Sequence, residues 1–143
     1  MMKNFRTNSL FFTSFLMLLY SPSHAASLNL EVLGVSNNQG QIVVSVYATE
    51  AQFLKMPLFS KTVPAQSPTT SLQLPDLPSG TLALSVFHDQ NNNKKLDTNF
   101  IGIPKEPNGV SNNALGKFGP PKFNDAKFNL NEAQLSISIT LHN

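Results

Sequence analysis

The sequence contains no cysteine and no tryptophan, and its only arginine is Arg6. Without cysteine there is no disulfide staple, no thiolate nucleophile and no sulfur-bound metal. A lipoprotein anchor, which needs a cysteine at the processing site, is excluded as well. Beyond residue 25 the lack of Trp and Arg removes the commonest residues of sugar-stacking platforms, phosphate clamps and interface hot spots. Long apolar runs are missing too: residues 10–20 form an apolar run of 11, well short of the roughly 20 that span a bilayer. There is no glycine-rich phosphate loop and no Gly-x-Ser-x-Gly elbow.

The short apolar run has a purpose of its own. Lys3 and Arg6 precede it, and Ser21-Pro22-Ser23-His24-Ala25 follow it. A positive start, a short apolar centre and small residues at 23 and 25 make up a secretory signal peptide cut after Ala25. The expected organisation is a signal peptide over residues 1–25 and one β-sandwich domain over residues 26–143. The product would be periplasmic or secreted, with no transmembrane anchor left after cleavage. Removing 25 of the 143 residues leaves 118, enough for one ordinary domain with a single core. The formal charge of +2 resides in Lys3 and Arg6, and the rest of the chain sets eight Lys against eight Asp and Glu. A neutral chain presents no footprint for nucleic acid or anionic lipid.

Apolar residues alternate along the chain in short runs. Leu28, Leu30 and Val32 share one face of a first strand that ends at Gly34. A polar turn, Asn37-Asn38-Gln39-Gly40, leads to a second β-rich run over 41–48, and the two read as a hairpin. Residues 49–55 read as one helical turn before Pro57, and Pro57, Pro64 and Pro68 mark a loop or an edge strand. Further strands are expected over 70–74, 81–87, 126–130 and 134–141, the last alternating Leu135, Ile137, Ile139 and Leu141 against Ser and Thr. About seven short strands with almost no helix predict an all-β fold, an Ig-like or transthyretin-like β-sandwich. Residues 89–125 lack any period yet hold Phe100, Ile101, Ile103, Leu115, Phe118 and Phe123, so they read as one long ordered loop packed on an end or edge of the sandwich.

The sharpest local motif is His88-Asp89-Gln90-Asn91-Asn92-Asn93-Lys94-Lys95-Leu96-Asp97. Side-chain oxygens at Asp89, Asn91, Asn93 and Asp97, with the Lys95 carbonyl, fall at calcium-loop positions 1, 3, 5, 9 and 7. Only two of these ligands are charged, so calcium is the candidate cofactor and a weak one, in the range of about 10⁻⁴ to 10⁻³ M. An Asn-rich turn closed by side-chain to backbone hydrogen bonds is the competing reading. In that reading the double change Asp89→Ala with Asp97→Ala leaves the metal-free fold nearly unchanged. Glu106 is a further acid that could fold in. His88 stands alone among histidines, which suits a structural role better than a nitrogen-ligated metal.

Several ordered motifs resemble a known group. Asp76-Leu77-Pro78-Ser79-Gly80, then Val86-Phe87-His88-Asp89-x-Asn91-x-Asn93-x-Lys95-Leu96-Asp97, then Gly102-Ile103-Pro104-x-Glu106, Ser111-Asn112-Asn113-Ala114 and Phe118-Gly119-Pro120-Pro121-x-Phe123 resemble a widespread bacterial family of exported β-rich proteins catalogued as a domain of unknown function. The resemblance implies a signal peptide, one β-rich domain and a signature loop region, with no activity to carry over. Lys94 stands where that family usually has Gly, and Asn108 and Val110 where aromatics are common. The Leu-Pro-Ser-Gly turn is also similar to those of transthyretin-like and collagen-adhesin B-type sandwiches, an analogy of architecture only. The chain lacks the C-terminal Tyr-Arg-Gly-Ser of the transthyretin-type hydrolases. The leading expectation is a non-catalytic binding or structural module of the cell envelope, facing an envelope protein or ligand and no nucleic acid. Its candidate surface includes His88, Glu106, Asn112, Asn113, Phe118 and Phe123. The alternative is a small hydrolase that uses His88 with Asp89, Asp97 or Glu106.

Overall fold

The computed structural model describes residues 25–143, so the expected signal peptide lies outside the described residues apart from Ala25. Eight strands follow in order: β1 (Ala26–Leu33), β2 (Gln41–Tyr47), β3 (Phe59–Pro64), β4 (Thr69–Leu77), β5 (Gly80–Asp89), β6 (Asn108–Val110), β7 (Phe128–Leu130) and β8 (Gln134–Thr140). They form two sheets, one ordered β4-β1-β8 and one ordered β3-β2-β5-β6, with β7 also paired to β5. The all-β sandwich expected from the alternating pattern is what the chain adopts.

Period-two alternation explains the layers. Leu28, Leu30 and Val32 of β1 are fully buried, and so are Ile42, Val44 and Val46 of β2 and Leu82, Leu84 and Val86 of β5. Together with Leu74 and Ile139 they form one core between the sheets. Strand β8 runs parallel to β1, placing Leu135, Ile137 and Ile139 beside Leu28, Leu30 and Val32. The first and last strands of the domain thus lie side by side.

Two local readings are corrected and a third is refined. First, β1 and β2 do not form a hairpin: β1 pairs with β4 and β8, β2 with β3 and β5. The chain between them crosses from one sheet to the other, whereas an immunoglobulin domain keeps its first two strands in one sheet. Secondly, the expected strand over 126–130 begins instead as a helical turn, α1 (Phe123–Ala126), and only β7 is extended. Thirdly, the expected helical turn over 49–55 is present as turns, with Phe53 N–H bonded to the Thr49 carbonyl at 3.1 Å and Met56 N–H to the Gln52 carbonyl at 2.9 Å, but Leu54, with a φ of +57°, keeps it from running on as a helix. The proline-marked segment does supply an edge strand, β3.

The region 89–125 packs at the end and edge of the larger sheet, through the loop that follows β5 and through β6, and it also lies over that sheet's outer face. That face carries apolar surface needing cover. Tyr47 and Ala83 are buried there by Phe53, Val110, Phe123 and Ala126, a second, smaller core. Tyr47 meets Phe53 edge-on at 5.4 Å, and Phe53 meets Phe123 at 5.7 Å. Ser111 locks this layer down. The free edge of β5 is shared by β7 over Gly80–Leu82 and by β6 over Ser85–Phe87, which leaves the Leu84 N–H between them. The buried Ser111 Oγ accepts it at 2.9 Å and donates to the Ala126 carbonyl at 2.5 Å.

Candidate functional site

Successive residues at the end of β5 point to opposite faces. His88, opposite Ile42, joins the inner face, and Asp89, opposite Gln41, joins the outer one. Both are fully buried. Asp89 forms the hub of the loop that follows. Its Oδ2 accepts Gln41 Nε2 at 2.6 Å and the Lys94 N–H at 2.8 Å, and its Oδ1 accepts the Asn93 N–H at 3.1 Å. Burial is the largest single influence on its pKa and raises it. The hydrogen bonds from Gln41 and from the backbone of Lys94, Asn93 and Asn92 together outweigh burial and hold the carboxyl below its ordinary value.

The remaining candidates close the loop around this hub. Asn91 Oδ1 accepts the Asn93 N–H at 3.1 Å, and Asn93 Oδ1 accepts the Lys95 N–H at 2.8 Å. Their amide groups donate to the two oxygens of Asp97, at 2.6 and 3.0 Å. Glu106, buried, clasps both ends of the loop: Oε1 accepts the Gln90 N–H at 3.2 Å and Oε2 the Asp97 N–H at 3.0 Å. Asn92 and Lys94 both sit at φ +61°. Glycine enters that left-handed region freely and lysine does not, so the residue that departs from the resembled family occupies the strained position.

Every side-chain oxygen proposed for calcium is therefore already engaged in a hydrogen bond within this cage. A calcium ion takes six to eight oxygens, and to offer them the Asn91 and Asn93 amides would have to release Asp97. Among the described residues no three His, Asp or Glu groups are placed to share an ion. In this arrangement the carboxylates of Asp89, Asp97 and Glu106 all accept hydrogen bonds from the loop.

His88 is not brought together with these acids. Its Nε2 donates to the Gln39 carbonyl at 2.7 Å, and its Nδ1, buried in the sandwich, has no partner. Asn112 and Asn113 act as pins. Asn112 Nδ2 donates to the carbonyls of Asp125 and Lys127 at 3.1 and 2.8 Å, and Asn113 Oδ1 accepts the Thr140 N–H at 2.8 Å. Phe123, expected at the surface, is buried in the second core because α1 turns it onto Phe53. Phe118 is fully exposed.

The residues that the sequence reading missed line a groove over the outer face of the larger sheet. Its volume is about 770 Å³. Ser45, Tyr47 and Ser85 make the floor, with the Tyr47 hydroxyl 3.2 Å from Ser85 Oγ. Ile101 and Ile103 stand on one wall and Leu115 on the other. The first wall is a small hairpin: Thr98 bridges Pro104, the Asn99 N–H donates to the Ile103 carbonyl at 2.8 Å, and Asn99 Oδ1 accepts the N–H groups of Ile101 and Ile103. No Asp, Glu or Lys lines the groove. The signal for its floor was present in β2 and β5, where Ser45, Tyr47 and Ser85 fall on the face opposite Val44, Val46 and Leu84. Only the course of the loop region shows that this face is roofed on two sides.

A family model described as "Uncharacterized protein conserved in bacteria (DUF2141)" matches residues 30–138, a span that takes in the cage and the groove lining except Thr140, His142 and Asn143. No curated protein and no solved structure matches the chain.

Proposed function

The chain belongs to this uncharacterised bacterial family, DUF2141, and from that premise we propose that it is an exported, non-catalytic binding module of the cell envelope whose groove takes an apolar or amphipathic ligand. One observation carries the reading: a concavity of about 770 Å³, within the roughly 300–1,000 Å³ of small-molecule sites, lined chiefly by apolar residues with Ser, Thr, Asn and His142 side chains among them. A hydrolase would gather its acids and His88 into such a concavity. Here Asp89, Asp97 and Glu106 are occupied in holding backbone and amide N–H groups, and none of them lines the groove. Among the described residues no helix is long and apolar enough to cross a membrane.

Tyr47 is the sole tyrosine after residue 25 and the chain has no Trp, so its emission reports directly on the groove floor. Protein recovered from the periplasm, with an intact mass starting at Ala26, is to be analysed by native mass spectrometry for bound ligand and titrated with an anilinonaphthalene dye. Ile103→Lys and Leu115→Lys, both at exposed positions, should each weaken dye binding by about tenfold or more, the consequence of a charge entering an apolar site, with melting unchanged. Undiminished binding in both variants removes the groove from consideration.

The cage carries a separate expectation. Because the candidate oxygens of the cage are taken up by hydrogen bonds, the wild type should melt at the same temperature with and without millimolar Ca²⁺, with Mg²⁺ as control. A gain near the ~2.7 kcal/mol of a site held at 100 times its Kd would instead establish the ion.

A further inference from the structure

Formal neutrality of the domain conceals a division. Segment 89–127 holds six of the eight lysines after residue 25, Lys94, Lys95, Lys105, Lys117, Lys122 and Lys127, against four acids. The rest of the domain holds two lysines against four acids. Within the segment, Asp89 and Glu106 are buried and bound to N–H groups, whereas all six lysines are exposed. The segment that supplies most of the groove's lining thus carries an excess of two positive charges, and the rest of the domain an excess of two negative ones.

The same layer carries the most exposed apolar side chains of the described residues. Phe100 is 99 % exposed at the tip of the hairpin on one wall, and Phe118, on the other wall, is fully exposed. Ile101 and Leu115 stand beside them at 65 and 70 %. Neither Phe lines the groove itself. Both are turned to solvent: Phe100 tops a hairpin whose base is followed by Lys105, with Lys95 earlier in the chain, and Phe118 borders a hollow with Lys117, Lys122 and Asp125. The hairpin is held by the Asn99 hydrogen bonds, so its tip is presented at little cost in chain entropy.

We propose that the two groove rims dock on an anionic lipid bilayer surface, with Phe100 and Phe118 entering the headgroup and acyl boundary while the surrounding lysines meet the lipid phosphates. Convex aromatic tips on separate loops suit a deformable apolar phase, whereas a protein partner would need a matching pocket for each. Two insertions reinforced by basic residues form the pattern of reversible interfacial binding, in which apolar burial and attraction to anionic headgroups add. Net charge alone, read from the sequence, pointed away from anionic lipid, because it averages over the two sides of the domain. The docking requires delivery to the envelope and no ligand in the groove.

The experiment is co-sedimentation of the domain beginning at Ala26 with vesicles of phosphatidylcholine alone and of phosphatidylcholine mixed with phosphatidylglycerol. The wild type should partition onto the anionic vesicles, less as salt rises, and onto the neutral ones at least several-fold more weakly. Phe100→Ser with Phe118→Ser should lower partitioning about tenfold or more, and Lys117→Gln with Lys122→Gln roughly tenfold. Both double variants should keep the wild-type melting curve and the wild-type response of Tyr47 to dye, which separates loss of docking from loss of the groove. Failure of the wild type to bind anionic vesicles overturns the proposal, as does equal binding to neutral vesicles or unchanged binding by the phenylalanine variant. Loss of dye response in the wild type bears on the groove alone.

Discussion

Asp89→Ala should lower the stability of the domain by about 3 kcal/mol or more, shifting the melting temperature down by roughly 10 °C for a domain of this size. The carboxylate accepts Gln41 Nε2 and the N–H groups of Asn93 and Lys94 while itself fully buried. Removing it leaves Gln41 Nε2 and the Lys94 N–H without an acceptor and the Asn93 N–H with Asn91 Oδ1 alone, and each buried unmet donor costs about 1–3 kcal/mol. Asp89→Asn should also destabilise, since either orientation of the amide turns an NH₂ toward an N–H. This reverses the expectation from sequence that the acids could be replaced with little effect on the metal-free fold: the Asn residues close the turn only around Asp89 and Asp97. The pH dependence has a definite sign. Hydrogen bonds depress the folded-state pKa of Asp89 below that of the unfolded chain, so its contribution is complete above the unfolded value, about 3.9. It is lost as pH falls below that value through the folded one. Denaturant melts of wild type and Asp89→Asn should therefore differ by a constant amount near neutrality and converge in acid. A difference that widened in acid would sink this account.

Gly40→Ala should be comparably severe for a different reason. Gly40 has a φ of +73°, and a Cβ there would meet the Asp89 carbonyl oxygen and approach Gln90 Cα to 2.7 Å. Those obstacles are backbone, pinned by the pairing of Gln41 with Asp89 and by the Ala65 N–H bonded to the Gly40 carbonyl. Left-handed strain of roughly 1–2 kcal/mol adds to the clash, for a total loss of about 3 kcal/mol or more. Gly102→Ala is the control: its φ is +85°, and nothing lies within 4 Å of the added Cβ. It should cost only the strain. Equal melting temperatures for the two variants would show that close approach contributes nothing.

The legible and the illegible parts of this chain lie side by side. His88 and Asp89 were recognisable as the end of a strand and the start of a built loop, because apolar alternation stops there and Asn residues begin. That Glu106 clasps the loop was open, since it is drawn in by N–H groups of Gln90 and Asp97 at 16 and 9 residues' separation. Phe123 and Phe118 looked alike as aromatics in an aperiodic stretch. One fills the second core and the other faces solvent, a difference set by the single turn of α1. Strand β6 escaped notice because three residues, Asn108–Val110, are too few to show a period, and it exists through its pairing with Ser85–Phe87.

What the sequence determined by itself was the class of fold and the inward face of each strand. Period-two alternation is a local property: a side chain's face follows from its neighbours within the strand, and burying that face is the dominant favourable term. The tertiary structure alone decided which strands meet. The cost of closing a loop rises only slowly with its length, so β1 can take β8 from the far end of the domain over the adjacent β2 when the summed contacts favour it. From the strand pairings follow the open outer face of the larger sheet and the groove laid across it.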